Sequence, residues 1–562
     1  MDKTLIKKYI DETEQIEFVA DFDDLLPFKS FQPLYVLLCD LLVDKQKVRV
    51  TLIVTKWFPN HLPKFILKKY DALGFLPHIE PNAAICYLEK ESVYVNRDEP
   101  KVVFQASVEL AVQTLKDGLI GTNHQDFRED FHVFWERNVN VSSKTVHSFI
   151  EITDSPKLIV VEGNDQKLIL KDSDDVRSLG NKRSKVKSET GIYIPLNNKK
   201  LLIPPKYDEQ WTADRFVNWL EEHVDDDVWD CVQDILDELN PISIKYIVFS
   251  VPRITGNSIL AGVRLVPRNS DHPLLHEQSG WKMEYLNIGR LDPSAFLPRS
   301  GAKIELQSKK VLLVGCGSVG SHVALNLAKM GLGSITLVDN DLFSLENIHR
   351  FAIGFEYAYK SKVAAMKEFL NKNYLNTKVT SYSVSLENYL EQHGAELNQF
   401  DLVISATGDP TVNMFLNQLC IEKELSLIVA WNEPYGIGGH SQLSVPDKKG
   451  CYKCLYPELY NLASFASQDQ PKPFHKKHLG CGEVFTPYNA LDSSRTADLA
   501  SRQCIAYLTD KEVEPNIRSW KGESDEFVGN GFNLSNRYLQ QDQELMDKLK
   551  YDFVNPKCVH CN

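Results

Sequence analysis

Gly315, Gly317 and Gly320 stand in the run KKVLLVGCGSVGSHVALNLAKMGLGSITLVDND, spaced G-x-G-x-x-G between a strand-like and a helix-like stretch. The first glycine permits a tight turn, the second lets a phosphate approach the backbone, and the third lets the helix pack on the strand, with the helix N-terminus favouring an anion. Asp339 ends the next strand-like stretch, where a carboxylate can accept ribose hydroxyls. This context predicts a bound nucleotide. The default for such a fingerprint is a dinucleotide dehydrogenase, yet Asp341, Asn347, Arg350 and Lys362 follow Asp339 in quick succession. Two cations and an amide beyond the ribose carboxylate suit a triphosphate, whose charge must be neutralised for attack at the α-phosphorus. The alternative is a helix with ordinary surface charges.

The chain has 11 cysteines. Cys451 and Cys454 form CYKC, Cys558 and Cys561 form CVHC, and the others are single. Four thiolates can close a tetrahedral zinc site with no open position, which makes such a site structural; the alternative is four unrelated buried thiols. Cys86 lies in LPHIEPNAAICYLE, and a lone cysteine of this kind is ordinarily a small core hydrophobe. Cys316 in the glycine turn, Cys420 in an apolar helix-like stretch and Cys231 in an acidic one read as structural.

The elements that must position these residues fall into three segments. Residues 1–138 read as a mixed α+β unit, with strand-like FQPLYVLLCDLLV and KVRVTLIVTKW and helix-like ASVELAVQTLKDGL. Residues 139–300 hold short β-like runs (KLIVVEG, KLILKD, GIYIPL, KYIVFSVPR) and one acidic amphipathic helix, RFVNWLEEHVDDDVWDCVQDILDEL, and read as a linker domain. Residues 301–562 carry the alternating pattern of a doubly wound parallel sheet. The fold class expected is therefore α/β and α+β multidomain. A net charge of −13 argues against broad nucleic-acid or acidic-membrane binding, and the basic run NKRSKVK at 181–187 reads as a solvated loop. MDKTLIKKYIDETEQ lacks the apolar stretch of a signal peptide. With no run apolar enough to span a bilayer, the expectation is a cytoplasmic protein whose thiols stay reduced.

Taken jointly, GCGSVG, DNDLFSLENIHR and Lys362 resemble the adenylation domain of the ThiF/MoeB superfamily and the ubiquitin-activating enzymes, whose pattern is G-x-G-G-x-G, D-x-D and S-N-L-x-R-Q followed by lysine. The resemblance covers roughly residues 301–562. It implies a Rossmann-like domain with a four-cysteine zinc site, ATP and Mg2+ as cofactors, Asp339 as ribose ligand, and Asn347, Arg350 and Lys362 as phosphate ligands. The family's D-C-T-D-N corresponds to DLVISATGDPTVN here, which sets Gly408 against the usual aspartate, so Asp409, one position late, is the expected Mg2+ carboxylate. The family's acyl-accepting cysteine follows the first CxxC and precedes a helix rich in small residues. Cys481, flanked by glycines in HLGCGEVF and close to HKKH, matches that position, with Cys504 as competitor. A thiolate attacks an acyl-adenylate readily, and a mobile loop would carry it there.

The N-terminal unit resembles the ubiquitin-conjugating fold, with ICYLE in place of an ICLD-like sequence, which makes Cys86 a carrier thiol. Where that family's H-P-N element has its asparagine this chain has His78, with Asn82 closer to the cysteine, and His78 is the expected oxyanion group. The order of segments resembles bacterial activating and conjugating fusion enzymes of anti-phage CBASS operons. That resemblance implies adenylation of a protein C-terminal carboxylate, relay as a thioester from Cys481 to Cys86, and transfer to a lysine amine. It also implies a cGAS/DncV-like nucleotidyltransferase as partner and a homodimer. The rivals are a sulfur-carrier adenylyltransferase, for which Cys86 is dispensable, an NAD-dependent dehydrogenase, and a non-catalytic adaptor.

Overall fold

A computed structural model describes residues 3–22, 26–44, 46–68, 73–88, 95–139, 145–163, 167–172, 187–207, 209–238, 243–268, 271–275, 279–458, 460–474, 476–477 and 484–561. Cys481 lies outside the described residues, as does the basic run except Lys187. The chain divides into two units, residues 1–290 and 291–562.

In the first unit, β2 (Pro33–Val43) and β3 (Gln46–Thr55) are rich in valine, leucine and isoleucine, which suit a pleated, buried surface. They form a long antiparallel hairpin whose turn holds Asp44 at φ 50°. β1 (Ile16–Asp21) and β4 (Lys64–Leu67) complete a four-stranded sheet in the order β1-β2-β3-β4. The side-chain alternation of strands sends Leu37, Cys39 and Leu41 toward α1 (Lys3–Asp11) and α2 (Pro100–Ile120). Val36 and Ile53 go to a smaller cluster with Ala84, two residues before Cys86. α2 opens with Pro100, whose missing N–H is no loss in a first turn, and stops at Gly121 in the left-handed region at φ 84°. Its buried residues Phe104, Val108, Ala111 and Leu115 recur at helical spacing and face the sheet.

A second sheet of eight strands follows within the same unit. Its strands are β5 (Thr145–Ser148), β6 (Lys157–Gly163), β7 (Lys167–Asp172), β8 (Lys187–Pro195), β9 (Ile244–Val251), β10 (Ile259–Val266), β11 (Lys282–Leu286) and β12 (Ile288–Arg290). They lie in the order β11-β10-β9-β8-β6-β7-β5-β12. One face packs on α5 (Ala213–Glu222) and α6 (Asp226–Asp237) together with residues from α4 (Phe131–Glu136). The acidic stretch expected as one helix is thus two. His223 turns its ring onto the backbone carbonyls of Trp219 and Leu201 (2.7 and 3.3 Å), and Asp225, extended at φ −75°, ψ 148°, starts the second helix. Cys231 is half-buried beside the core residue Val232.

Although α3 (Asp126–Glu129) and α4 follow α2 directly, they are fastened to this second sheet. Trp135 of α4 is 1% exposed, meets Phe249 edge-on at 5.1 Å and donates its Nε1–H to the Gly262 carbonyl at 3.3 Å. Arg128 donates to the Lys200 carbonyl at 2.6 Å, and Glu129 accepts from Arg253 at 3.1 Å and Thr255 at 2.6 Å.

The second unit is built on β13 (Lys310–Val314), β14 (Ser334–Val338), β15 (Lys378–Tyr382), β16 (Leu402–Ser405), β17 (Leu427–Asn432) and β18 (Gly438–Ser444). A short pair, β19 (Lys476–Lys477) with β20 (Val484–Phe485), precedes β21 (Asn516–Lys521), and the helices of this unit include α7 (Pro293–Phe296) before β13 and α10 (Leu386–His393) between β15 and β16. The sheet runs β15-β14-β13-β16-β17-β18-β21, its first five strands parallel and its last two joined antiparallel. Burial on both faces is why VLLV of β13 and LVI of β16 read as unbroken apolar runs. The strand order reverses between β13 and β16, and the crevice beyond their C-terminal ends is where such sheets bind ligands. Among the described residues no helix is long and apolar enough to cross a membrane.

Trp135→Ala is expected to remove about 3–5 kcal/mol from the first unit, read as a lower urea midpoint by tryptophan-independent far-UV dichroism.

Candidate functional site

At the end of β13 the chain turns through Gly315 at φ 84° and enters α8 (Ser318–Lys329), whose N-cap is Gly317. A Cβ on Gly315 would meet the Ala406–Thr407 backbone at 2.8 Å, and one on Gly320 would lie 2.0 Å from the Gly315 carbonyl oxygen. Gly317 has nothing within 4 Å of a Cβ position and borders open space. Two glycines thus bring the elements together, and the third leaves room against the backbone for a phosphate.

That space is a cavity of about 470 Å³ lined by Gly317, Asp341, Asn347, Arg350, Lys362 and Tyr488, among others. Lys362, 8% exposed at the start of α9 (Lys362–Asn373), holds Asp341 by a 2.6 Å contact from Nζ. Asn347 donates to the Ser344 hydroxyl at 3.1 Å, and the Arg350 guanidinium lies 5.1 Å over the Tyr488 ring. Asp339 turns its carboxylate toward the glycine turn, accepting from the backbone of Cys316 at 2.6 Å and of Asp341 at 2.8 Å. The cluster thus brings buried positive charge and a helix N-terminus to one space, an arrangement that neutralises phosphate oxygens.

Asp409 is placed differently. It caps α11 (Pro410–Glu422), both cap bonds falling on Oδ1 from the backbones of Thr411 and Val412. Gly408 and Pro410 line the cavity, and Asp409 is exposed beside them. Tyr488, Trp431, Tyr452 and Tyr456 also line the space, and nothing in the sequence pointed to them because single aromatic residues on a strand end, a short 3-10 turn and loops carry no spacing signal.

Cys451, Cys454, Cys558 and Cys561 converge, their sulfurs all within 4.8 Å of one another. The Cys451–Cys558 and Cys454–Cys561 separations are 3.6 and 3.5 Å, close to the roughly 3.8 Å that tetrahedral bonds of about 2.3 Å impose. Hydrogen bonding between Cys451 and Cys454, together with burial, pushes the Cys451 thiol up, while the same bond draws Cys454 down to about 5. Four thiols this close cannot all ionise without a cation among them, and the set is compatible with zinc. The cluster also braces the cavity. Asn417 accepts from the Tyr452 backbone at 2.9 Å and contacts His560 of the second pair at 3.0 Å, and Tyr452 meets the Tyr456 hydroxyl at 3.0 Å.

Cys86, in the first unit, is exposed and lines a separate pocket of about 380 Å³. Its backbone N–H donates to the His78 carbonyl at 2.8 Å. His78 sits in the left-handed region at φ 59°, with Nε2 at 2.8 Å from Asp126 and Nδ1 at 3.8 Å from Asp130. Asn82 accepts from the Ala84 backbone and so shapes the turn. The remaining single cysteines differ sharply. Cys316 and Cys504 are fully buried in the core of the second unit, and burial pushes both thiols up. Cys39 and Cys420 are pushed up to about 12, burial again the leading cause.

Alkylation of the native chain at pH 8 is therefore expected to label Cys86 and to spare Cys39, Cys316, Cys420 and Cys504, as read by peptide mass mapping. Cys558→Ser is expected to lower bound zinc below one ion per chain by metal analysis. Through Tyr452 and Tyr456 it is also expected to weaken nucleotide binding about tenfold by titration.

Residues 295–520 match the ThiF family, and residues 37–143 match prokaryotic E2 family B. The chain is 23% identical over 462 residues to the ATP-dependent ubiquitin transferase-like protein Cap2 of Pseudomonas aeruginosa (strain BWHPSA011 / Pa011), covering 77% of this chain and 80% of that one. It is 24% identical over 291 residues to the protein of the same name from Escherichia coli (strain TW11681), covering 49% and 45%. To the adenylyltransferase and sulfurtransferase UBA4 of Candida albicans (strain SC5314 / ATCC MYA-2876) it is 26% identical over 214 residues, covering 35% and 48%. The matched region thus spans less than half the length of these last two relatives. A crystal structure of E. coli MccB with succinimide aligns at 21% identity and a TM-score of 0.33, covering 46% of this chain and 68% of that one. One chain therefore carries a region that matches prokaryotic E2 family B followed by a region that matches the ThiF family, the order that the resemblances of its ICYLE, glycine and lysine motifs led one to expect.

Proposed function

We propose that this protein is an ATP-dependent ubiquitin-like transferase that activates a protein at its C-terminal carboxylate and passes it to an amine. The observation that carries the reading is the convergence of Gly317, Asn347, Arg350, Lys362 and Asp341 on one cavity, in a chain that also presents an exposed thiol in its E2-like region. The relatives named ubiquitin transferase-like support the same reading.

In this scheme ATP supplies the adenylyl group, which makes the carboxylate a mixed anhydride as pyrophosphate leaves. The Gly317 turn and the N-terminus of α8 receive phosphate oxygens, Asp339 faces the ribose, and Arg350 and Lys362 offset the charge that grows on the departing phosphates. Asp341 and Asp409 are the carboxylates proposed to hold Mg2+. Lys362 leaves Asp341 when phosphate competes for it. Cys481 takes the acyl group as a thioester, Cys86 receives it next, and a lysine amine ends the sequence as an isopeptide bond. Each thioester retains much of the activation, which is the use of two nucleophiles in series. Residues 139–300 are the spacer between the two thiol-bearing segments, and by the resemblance two chains pair through their activating domains. The segment order supports a CBASS setting with a cGAS/DncV-like nucleotidyltransferase as the activated protein.

Lys362→Ala and Arg350→Ala are each expected to lower ATP–pyrophosphate exchange about 10²–10³-fold. The relay is tested by incubating full-length protein with Mg-ATP in lysate of its native host and following adducts by non-reducing gel and intact mass. A thiol-sensitive adduct on Cys86 that vanishes in Cys481→Ala is the expected result. An adduct confined to Cys481 and indifferent to Cys86→Ala would instead fit a sulfur-carrier activating enzyme.

A further inference from the structure

The pocket beside Cys86 is lined by residues from two different cores. Cys86, His78 and Glu80 come from the loop that follows the first sheet, and Thr114 from its helix α2. Asp130, Phe134, Arg137 and Tyr207 come from the α3–α4 segment and from the stretch after β8, both fastened to the second sheet. Two links tie this second group to the loop that carries the thiol. The Tyr207 hydroxyl donates to the Ile79 carbonyl at 2.7 Å, and Ile79 bridges to Ile85, the neighbour of Cys86. His78, whose carbonyl accepts from the Cys86 backbone, is held between Asp126 and Asp130.

The chemistry of this wall is specific. Phe134 and Tyr207 stack at 5.7 Å and 24°, a flat apolar surface, and Arg137 lies 4.8 Å over the Tyr207 ring while also bonding its hydroxyl. The guanidinium is thereby engaged with Tyr207. Glu80 and Asp130 give the pocket two carboxylates; burial raises Asp130 from its ordinary value, and Asp130 lies one helical turn before Phe134 of the apolar wall. An apolar strip ending in carboxylates fits an unbranched alkyl chain that ends in a primary ammonium.

We propose that Asp130, Phe134, Arg137 and Tyr207 form the acceptor site for a lysine-type amine, so that the second sheet's core selects what Cys86 acylates. This rests on the reading of Cys86 as a thioester carrier. The ammonium gives one proton to the Asp130 carboxylate, and the nitrogen lone pair forms the C–N bond at the thioester carbonyl. The C–S bond breaks with its electron pair on sulfur. A second nitrogen proton passes to the departing Cys86 thiolate, leaving an amide, a free thiol and a protonated Asp130 that returns its proton to water. Tyr207 acts through its ring, which lies against the stem of the amine, and is a positioning residue.

The test loads Cys86 of the full-length Cys481→Ala chain from a fluorescent glycine-terminated peptide carried as its mercaptoethanesulfonate thioester, with the acylated residue identified by peptide mapping. Discharge is then timed with Nα-acetyl-lysine, with Nα-acetyl-2,3-diaminopropionate, whose amine sits on a single methylene, and with hydroxylamine. Relative to the free peptide thioester, the loaded chain is expected to prefer the lysine derivative at least about tenfold. Tyr207→Ala is expected to erase that preference and leave hydroxylamine discharge unchanged, whereas Tyr207→Phe, which keeps the ring, retains it. A loaded wild-type pocket with no preference, or a Tyr207→Ala chain that slows hydroxylamine as much as lysine, overturns the proposal alone. A Cys86 that accepts no acyl group overturns the carrier reading and the proposal with it.

Discussion

The second unit depends on one close approach, that of the first turn of α8 to the backbone at the ends of β13 and β16. Gly320 lets the helix rest against the Gly315 carbonyl, and Gly315 in turn lets the strand end lie against Ala406 and Thr407. Any side chain at either position would displace the helix from the switch point of the sheet. With the helix seated, Gly317 faces open space, Asp339 reaches the turn, and the 341–362 segment folds over so that Lys362 is buried beside Asp341. Anion-binding capacity is thus a by-product of backbone packing, and the charged side chains refine it.

A comparable constraint governs the first unit, where two cores share a border. α3 and α4 follow α2 in sequence yet pack on the second sheet, because Phe131 and Trp135 supply aromatic surface that Phe216 and Phe249 complete. The carboxylates flanking His78 ride on this segment. The surroundings of the exposed thiol are therefore determined by residues whose packing partners lie 81 to 118 positions away in the chain.

What was legible in the sequence follows from what leaves a local signature. The glycine turn, the paired CxxC spacings and the unbroken apolar strands each impose a short-range pattern, and they were readable with their elements. Asp409 shows the limit: its spacing near the family's aspartate made it a metal candidate, and nothing in that spacing announced that its Oδ1 also caps α11. The acidic stretch read as one helix because its charge pattern is continuous, and only the tertiary bonds of His223 to Trp219 and Leu201 account for the break. Tyr207 and Tyr488 could not be singled out, since each acquires meaning only from residues distant in sequence. Cys504 illustrates the converse: a thiol in a plausible stretch is removed from contention by complete burial.

The thiol cluster has a bearing on biosynthesis. Tyr452 and Tyr456 form part of the cavity beside Gly317, yet their segment is secured by Cys558, His560 and Cys561, over a hundred residues later. A ribosome delivers the strands and the glycine turn well before it delivers these anchors. During translation the parallel sheet can assemble while its aromatic wall lacks its fastening, so a nascent chain acquires the finished cavity only after residue 561 has emerged. Completion of the cavity is in this way delayed until Cys558, His560 and Cys561 have been made.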